Sequence, residues 1–527
     1  MMSRAFCVTL FILLQLCYYG HSCPAKCQCF TPTRVFCSDE QLTDMPHNLS
    51  LDVRELVIMT TRIMNLRHSA FPEGSKLSKL VFLNNLLQGI SSTAFNKLAG
   101  LEELEISGNH HLEELLAGTL NELGNLTTLA LNFNRFRVMR GRPFNKLYKL
   151  ETLQLKGNDI SLLADDLFQQ LGSLRLLDLS LNMISAVTME LFRNLGQLRT
   201  LKLGYNHIKA LPVDAFDGVP RLRELNLQGN KIAALPQALF SRLADLEKLN
   251  LRGNQLKNLT GDVFPLGLSE LNLVDNKLAQ LSPTTFQGLP HLTCLLLSRN
   301  QLSVFPEDLF QNLTALVHVD LSHNLIAGLP ETTFSGLSEL TVVHLENNNI
   351  SSLESGLFED QDYLDQLYLS HNALQTVPTG FFDNFLSGNM IRLHGNPWTC
   401  DCHLLYLHDW LDYGAGPSQD ISNMYCGAPS FLSGRGVASL KREQLVCAAN
   451  STHETELSVT QPVETPPTAV CTIQETNRTI SVKCNIQKCP RVKLLTWYQK
   501  EGNQEILTEH EFYHGTECLN STITINF

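Results

Sequence analysis

Apolar and polar positions alternate along this chain in one long, regular pattern. The unit L-x-x-L-x-L-x-x-N recurs from Asn85 to Asn396, in steps of 24 residues except for 25 after Asn109 and 22 after Asn254. A weaker copy closes on Thr61. Each copy predicts one short strand with its leucines at alternate positions pointing inward. One such strand cannot bury its face alone, so the copies are predicted to stack into a parallel sheet. The recurrent Asn turns the chain away from the sheet. Its buried amide needs hydrogen-bond partners, and the backbone of the turn is the expected source. Ten residues after most of these Asn stands a Phe: Phe95, then each repeat from Phe144 to Phe382, with Phe71 in the weak copy and Leu120 in the 25-residue one. A ring at one register in every copy predicts a stacked spine under the convex side.

The pattern resembles the leucine-rich repeat. The expected fold is an α/β repeat solenoid, a horseshoe with a parallel concave sheet. About 15 repeats occupy residues 51–396. A solenoid has two open ends, and cysteines cluster at both. Cys23, Cys27, Cys29 and Cys37 are spaced C-x3-C-x-C-x7-C and resemble an N-terminal cap over 23–50. Asn396, Pro397, Trp398, Cys400, Cys402, Trp410, Cys426 and Cys447 fit the N-P-W-x-C-x-C pattern of a C-terminal cap, placed at 397–447. That resemblance implies the pairs Cys23–Cys29, Cys27–Cys37, Cys400–Cys426 and Cys402–Cys447.

Composition changes the picture in three ways. The net charge of −12 argues against nucleic acid, whose phosphates demand a basic surface. Residues 1–22 read as a secretory signal peptide, with Arg4 before the apolar run AFCVTLFILLQLCYY and small residues ahead of Cys23. No later run of 18 apolar residues and no lipid or GPI signal follows, so a soluble, secreted, extracellular product is expected. Secretion makes disulfides the first reading of the clustered cysteines. It also makes N-x-S/T acceptors of Asn48, Asn125, Asn258, Asn312, Asn349, Asn450, Asn477 and Asn520.

Past the second cysteine cluster, residues 448–470 are rich in Thr, Pro, Ser and Glu and read as an extended linker. Residues 471–527 carry the strand-like runs TISVKCNI and STITINF. Their cysteines, Cys471, Cys484, Cys489 and Cys518, suggest a small disulfide-stapled β module with the pairing open. LLTWYQKEG is similar to an immunoglobulin strand with its buried Trp, but the module is too short for seven strands.

Three constellations carry residue types suited to chemistry. HEFYH, from His510 to His514, has zinc-protease spacing, yet no long helix and no third ligand accompany it. H-x-x-E pairs at His110/Glu113, His111/Glu114 and His453/Glu456 fall in loops or the linker, where no enclosed site is expected. GNPWTCDCHLLYLHDWL offers Cys400, Cys402, His403 and His408 as metal ligands, but cap partners wait downstream for both cysteines. The two histidines then belong to a short capping helix. No catalytic residue, cofactor or metal is expected.

The concave strand face is more informative. The position four before each ladder Asn forms a column that runs through Lys202, Asn226, Asn250, Asn272, Leu296, Asp320, His344, Tyr368 and Arg392. Two positions earlier lie Glu224, Lys248, Glu270, Cys294 and His318. The first three make a charge ladder of little energetic value. A solvated sheet face is the plain reading. The sharper one is a partner-binding patch at Asp320, His344, Tyr368, Arg392 and His394, since Tyr and Arg are good interface anchors. No acceptor Asn falls in the six residues before a ladder Asn, so this face is predicted to stay free of glycans. Cys294 is left over and reads as a buried, inert thiol, the alternatives being an exposed thiol or an intermolecular disulfide.

Several stretches, VFCSDE, VFLNN, LNFN, LHGNPWTCDCHLLYL and CGAPSFLSGRGVASLKREQLVC, are similar to the family of non-catalytic regulatory subunits of plasma carboxypeptidase N. That resemblance implies a protein that is not an enzyme. It implies binding to the zinc-dependent catalytic subunit, which removes C-terminal Lys or Arg from peptides, and stabilisation of that subunit in a circulating heterotetramer. The alternative is a soluble leucine-rich-repeat receptor or carrier for a growth factor or microbial ligand.

Overall fold

In the computed structural model of the chain, residues 23–447 are described except 69, 140–141, 260, 262, 386–388 and 413–420, together with the backbone of five strands between 468 and 526. The predicted signal peptide, nearly all of the predicted linker, Cys489 and Cys518 lie outside the described residues. The chain divides after Ala448 into two compact units.

The first unit is a succession of short parallel strands, each three to five residues long, in chain order. Sixteen strands run parallel, from Arg34–Cys37 to Met390–Arg392, and Cys27–Thr31 adds one antiparallel strand at the edge. The count exceeds the fifteen predicted because Arg34–Cys37, in the first cysteine segment, pairs with Glu55–Met59 and supplies an extra rung. Along most of the three-residue strands the central residue is buried between half-buried neighbours, as in Glu224–Asn226 around Leu225. The alternation follows from the pleat: the centre meets the core, the flanks meet the concave face.

The ladder Asn are hydrogen-bonded to the backbone and, apart from half-buried Asn348, buried. The Nδ2 of Asn230 donates to the carbonyls of Leu203 and Leu227, each at 2.9 Å, and its Oδ1 accepts from the Ile208 amide at 3.0 Å. Each Asn thus ties its own turn to the preceding repeat. Beneath runs the ring spine. Phe192, Phe216 and Phe240 stack with centroids 6.4 and 6.1 Å apart and are almost wholly buried. Leu120 fills the same register and is buried too.

The residue before each ladder Asn adopts a left-handed backbone in every repeat. Glycine holds this place at Gly108, Gly157, Gly229, Gly253 and Gly395, whereas ten repeats use other residues, among them Phe133, Tyr205, His323 and His371. Non-glycine residues are disfavoured there by about 1–2 kcal/mol. An inter-repeat hydrogen bond offsets that cost: the amide of Tyr205 donates to the carbonyl of Gln228 at 2.6 Å, and the amide of His371 to that of His394 at 2.9 Å. A ring at this place also needs room in the next repeat. A Cβ on Gly229 would stand 2.5 Å from the Tyr205 ring, and one on Gly157 2.3 Å from that of Phe133.

Both ends are closed by cysteine-bearing segments. Disulfides join Cys23 to Cys29 and Cys27 to Cys37 at one end, and Cys400 to Cys426 and Cys402 to Cys447 at the other. After the last ladder Asn, Trp398 is fully buried and the helix Leu405–Asp412 lies across the spine. Trp410 stacks on Phe382 at 4.4 Å. The Tyr406 hydroxyl accepts from the Phe382 amide and donates to Asp383, and burial with that carboxylate holds its phenol far above the usual tyrosine range. His408 is buried in this helix, its Nε2 against the Leu440 carbonyl at 2.9 Å. His403 departs from expectation. It sits in the 3-10 turn Cys402–Leu404 ahead of the helix, where Asp401 caps the turn by accepting from the His403 amide.

In the second unit, Thr468–Thr476, Thr479–Gln487 and Asn520–Asn526 form one antiparallel sheet, and Leu494–Glu501 pairs with Gln504–Phe512. Its first strand begins inside the stretch read as linker. His510 and Glu511 fall on a strand, which removes the helical spacing that zinc ligation by HEFYH requires, and His514 lies outside the described residues.

Candidate binding surface

Strand register brings the predicted column together. Asp320 pairs with His344, His344 with Tyr368, and Tyr368 with Arg392. All four are half-buried on the concave face. The rings are ordered against each other: His318 stacks on His344 at 5.4 Å, and His344 lies parallel to Tyr368 at 4.2 Å and 5°. The Tyr368 hydroxyl donates to Gln366 Oε1 at 3.0 Å, which fixes the ring's rotation. A rigid stack of this kind loses little entropy on binding. His394 belongs to the neighbouring flank, where its ring meets His371 edge-on at 5.0 Å.

Carboxylates frame the stack. Glu346 lies 3.2 Å from His344 Nδ1. Asp320 turns one oxygen back to its own chain, accepting from the Ser322 amide at 3.0 Å and hydroxyl at 2.7 Å. Asn226, Asn250 and Asn272 make the same turn in their own repeats, each Oδ1 accepting from the amide two residues on. Burial works against a charge on His344, but Glu346 and then Asp320 outweigh it and raise its pKa above the ordinary value. His318 is pushed down, by burial first and then by His344.

The predicted ladder of Glu224, Lys248 and Glu270 is present in register, with Lys248 2.5 Å from Glu270. Both groups are about half exposed, so the pair contributes little. Cys294 pairs in register with His318 and carries no disulfide. Burial, then Glu270 and Asp320, raise its thiol. A nucleophilic cysteine needs a thiolate beside an imidazolium. Here both shifts favour the neutral forms, so the juxtaposition does not make a nucleophile.

Among the described residues, one group of three metal-ligating side chains occurs: Cys402, His403 and Cys447. Its two sulfurs are bonded to each other and offer no thiolate. The acceptor residues Asn48, Asn125, Asn258, Asn312 and Asn349 are all exposed, and none lies on a concave strand. Asn349 follows ladder residue Asn348 on the flank.

Sequence reasoning missed that flank. Phe133, Leu181 and Tyr205 stand exposed there at the left-handed position, and His323 contacts Asn347 at 3.4 Å. A bulky residue followed 24 positions later by Gly, as Tyr205 by Gly229, is the signal that marks it.

Comparison with known proteins gives a profile described as "Leucine rich repeat", matching residues 52–110, 124–184, 177–232, 220–265, 267–326, 318–374 and 338–397. Human carboxypeptidase N subunit 2 is 44% identical over 63 residues, which is 12% of this chain and 11% of that protein. Human reticulon-4 receptor-like 2 is 33% identical over 123 residues, 23% of this chain and 29% of that protein. The aligned stretches thus span about a tenth of the first relative and under a third of the second. A leucine-rich-repeat protein of Leptospira interrogans superposes with a TM-score of 0.59 at 27% identity, covering 69% of this chain and 90% of that one. The Drosophila Toll–Spatzle complex gives 0.62 at 21% identity, over 79% of this chain and 65% of that chain, a likeness of fold alone.

Proposed function

Since the chain belongs to the leucine-rich-repeat family, we propose that it is a non-catalytic secreted scaffold whose concave face binds a protein partner. The partner in this reading is the catalytic subunit of a zinc carboxypeptidase, held and stabilised in plasma as in the heterotetramer of carboxypeptidase N. The observation that carries the binding role is the ordered His318–His344–Tyr368 stack, continued in register by Arg392, on a face without acceptor Asn. The local identity to carboxypeptidase N subunit 2 supports the choice of partner. Four disulfides support an oxidising compartment. Among the described residues no helix is long and apolar enough to cross a membrane.

In this account Asp320, His344, Tyr368, Arg392 and His394 contact the partner, and glycans on the exposed Asn shield the remaining surface. The test is size-exclusion chromatography of the recombinant chain with the carboxypeptidase N catalytic subunit. Co-elution, with slower thermal loss of peptidase activity, is expected. Separate elution with unchanged activity decay would end this choice of partner. A second reading, a soluble receptor, draws on the longer match to reticulon-4 receptor-like 2. It predicts a ligand captured without any peptidase activity.

A further inference from the structure

The charge of this chain is concentrated in one segment. Residues 300–391 contain twelve Asp and Glu and no Lys or Arg. The whole chain has 52 acidic and 40 basic residues, so taking away those twelve leaves forty of each sign elsewhere. Upstream, carboxylates are matched by neighbouring repeats, as in Arg223–Glu247 at 3.2 Å and Lys79–Glu103 at 2.8 Å. From 300 to 391 the sequence supplies four histidines, His318, His323, His344 and His371, as its only basic side chains. The repeats that lack permanent cations are the ones that carry the ring stack.

We propose that the concave face from His318 to Tyr368 seats a basic, lysine- or arginine-bearing segment of a partner protein at neutral pH and releases it when His344 takes up a proton. This deepens the binding role assigned above and rests on it. Charge complementarity chooses the occupant: repeats that carry twelve carboxylates and no Lys or Arg before Arg392 favour a basic segment and repel an acidic one. The stack supplies a flat, preordered floor, and Asp320 and Glu346 supply the acceptors.

Release follows from what faces His344. Two residues past His344, beyond the end of its strand, stands Glu346; on the preceding strand stand Asp320 and His318, and on the following strand Tyr368. An imidazolium at this point gives both carboxylates an internal counter-ion and competes with the partner's cation. His318 resists charging beside it, so the first proton goes to His344. Above that titration the imidazole carries no charge to set against the two carboxylates.

The experiment uses the full chain and the peptide Ac-(Gly-Lys)4-amide as the basic probe, with Ac-(Gly-Glu)4-amide as its opposite, titrated by calorimetry at low salt. The paired variant Asp320→Asn with Glu346→Gln removes the concave charge. Asn at 320 keeps the oxygen that the Ser322 amide needs, as Asn226, Asn250 and Asn272 do in their repeats. The control Glu307→Gln with Asp308→Asn removes equal charge from exposed residues that precede the strand. The lysine peptide should bind at pH 7.4, lose at least about 5-fold in affinity in the concave variant and less than about 2-fold in the control. At pH 5.5 the wild type should weaken by a similar factor, while His344→Gln should bind alike at both pH values. Equal losses in the two variants, affinity unchanged at pH 5.5, or tighter binding of the glutamate peptide at pH 7.4 would each overturn the proposal. The probe stands for any basic segment. Failure to bind the carboxypeptidase subunit would therefore remove the partner's identity and leave this result standing, and the reverse holds as well.

Discussion

Replacing Asn230 by Ala tests whether the Asn ladder holds neighbouring repeats together. The wild-type side chain is 5% exposed, donates to Leu203 O, Leu227 O and, at 3.4 Å, Gln228 O, and accepts from the Ile208 amide. In alanine the Leu203 and Leu227 carbonyls keep their bonds from Asn206 and Asn254, whereas the Ile208 amide loses its acceptor in the core. A buried group left without a partner costs about 1–3 kcal/mol. The weakened carbonyl bonds add to that and water entering the vacated space recovers part, so a net loss of about 1–3 kcal/mol is expected. Solenoid stability is a sum over repeats and their contacts, so the damage is local. The matched control is Asn226→Ala, four residues earlier on the concave face, where only the Gln228 amide loses its acceptor. That change is expected to cost about 0.5 kcal/mol or less. Urea unfolding with disulfides intact gives the overall loss, and hydrogen exchange at the Ile208 amide reports the local one. A loss of 2 kcal/mol speeds exchange there by roughly 30-fold. If alanine at 230 costs no more than alanine at 226, and the Ile208 amide stays protected, the ladder does not carry the inter-repeat contact.

Further outcomes follow from the same structure. Phe216→Ala removes a ring stacked on both sides and should lower stability by about 3–5 kcal/mol in urea unfolding; a loss under 1 kcal/mol would show that the spine tolerates gaps. Gly229→Ala forces a methyl group into the Tyr205 ring at a left-handed residue and should cost about 1–2 kcal/mol. Adding Tyr205→Ala should recover part of it, and strict additivity of the two changes would contradict the contact. Cys294, its thiol pKa raised by burial and by Glu270, should react with iodoacetamide at pH 7.5 more slowly than glutathione and accelerate as pH rises through its titration. Equal rates would mean that the thiol is not held in its neutral form.

The period of 24 residues made the sheet, the ladder and the ring spine legible, because each places one residue type at one register. The concave columns followed from that register, and Asp320, His344, Tyr368 and Arg392 do lie side by side. What register cannot give is orientation. That His344 lies within 5° of parallel to Tyr368, while His394 turns its edge to His371, depends on χ angles set by Gln366, Glu346 and the flank. The left-handed residue before each ladder Asn was hidden for another reason. In ten repeats its identity is not glycine, and the conformation is held by a hydrogen bond to the next repeat rather than by local preference. The sixteenth parallel strand was hidden in the first cysteine segment, which lacks the repeat pattern and joins the sheet through its edge. His403 and His408 share a short stretch of sequence but separate in the fold, one capped by Asp401 in a turn and one buried against Leu440.

The central claim is that the concave face of the last repeats is the partner-binding surface. The most direct measurement is the affinity of the chain for the carboxypeptidase N catalytic subunit, by surface plasmon resonance, for wild type and for the paired change Tyr368→Ala with Arg392→Ala. The account predicts a loss of at least about 10-fold in the variant, carried mainly by faster dissociation, with urea stability unchanged. Binding of equal strength in both proteins would place the interface elsewhere and contradict the account.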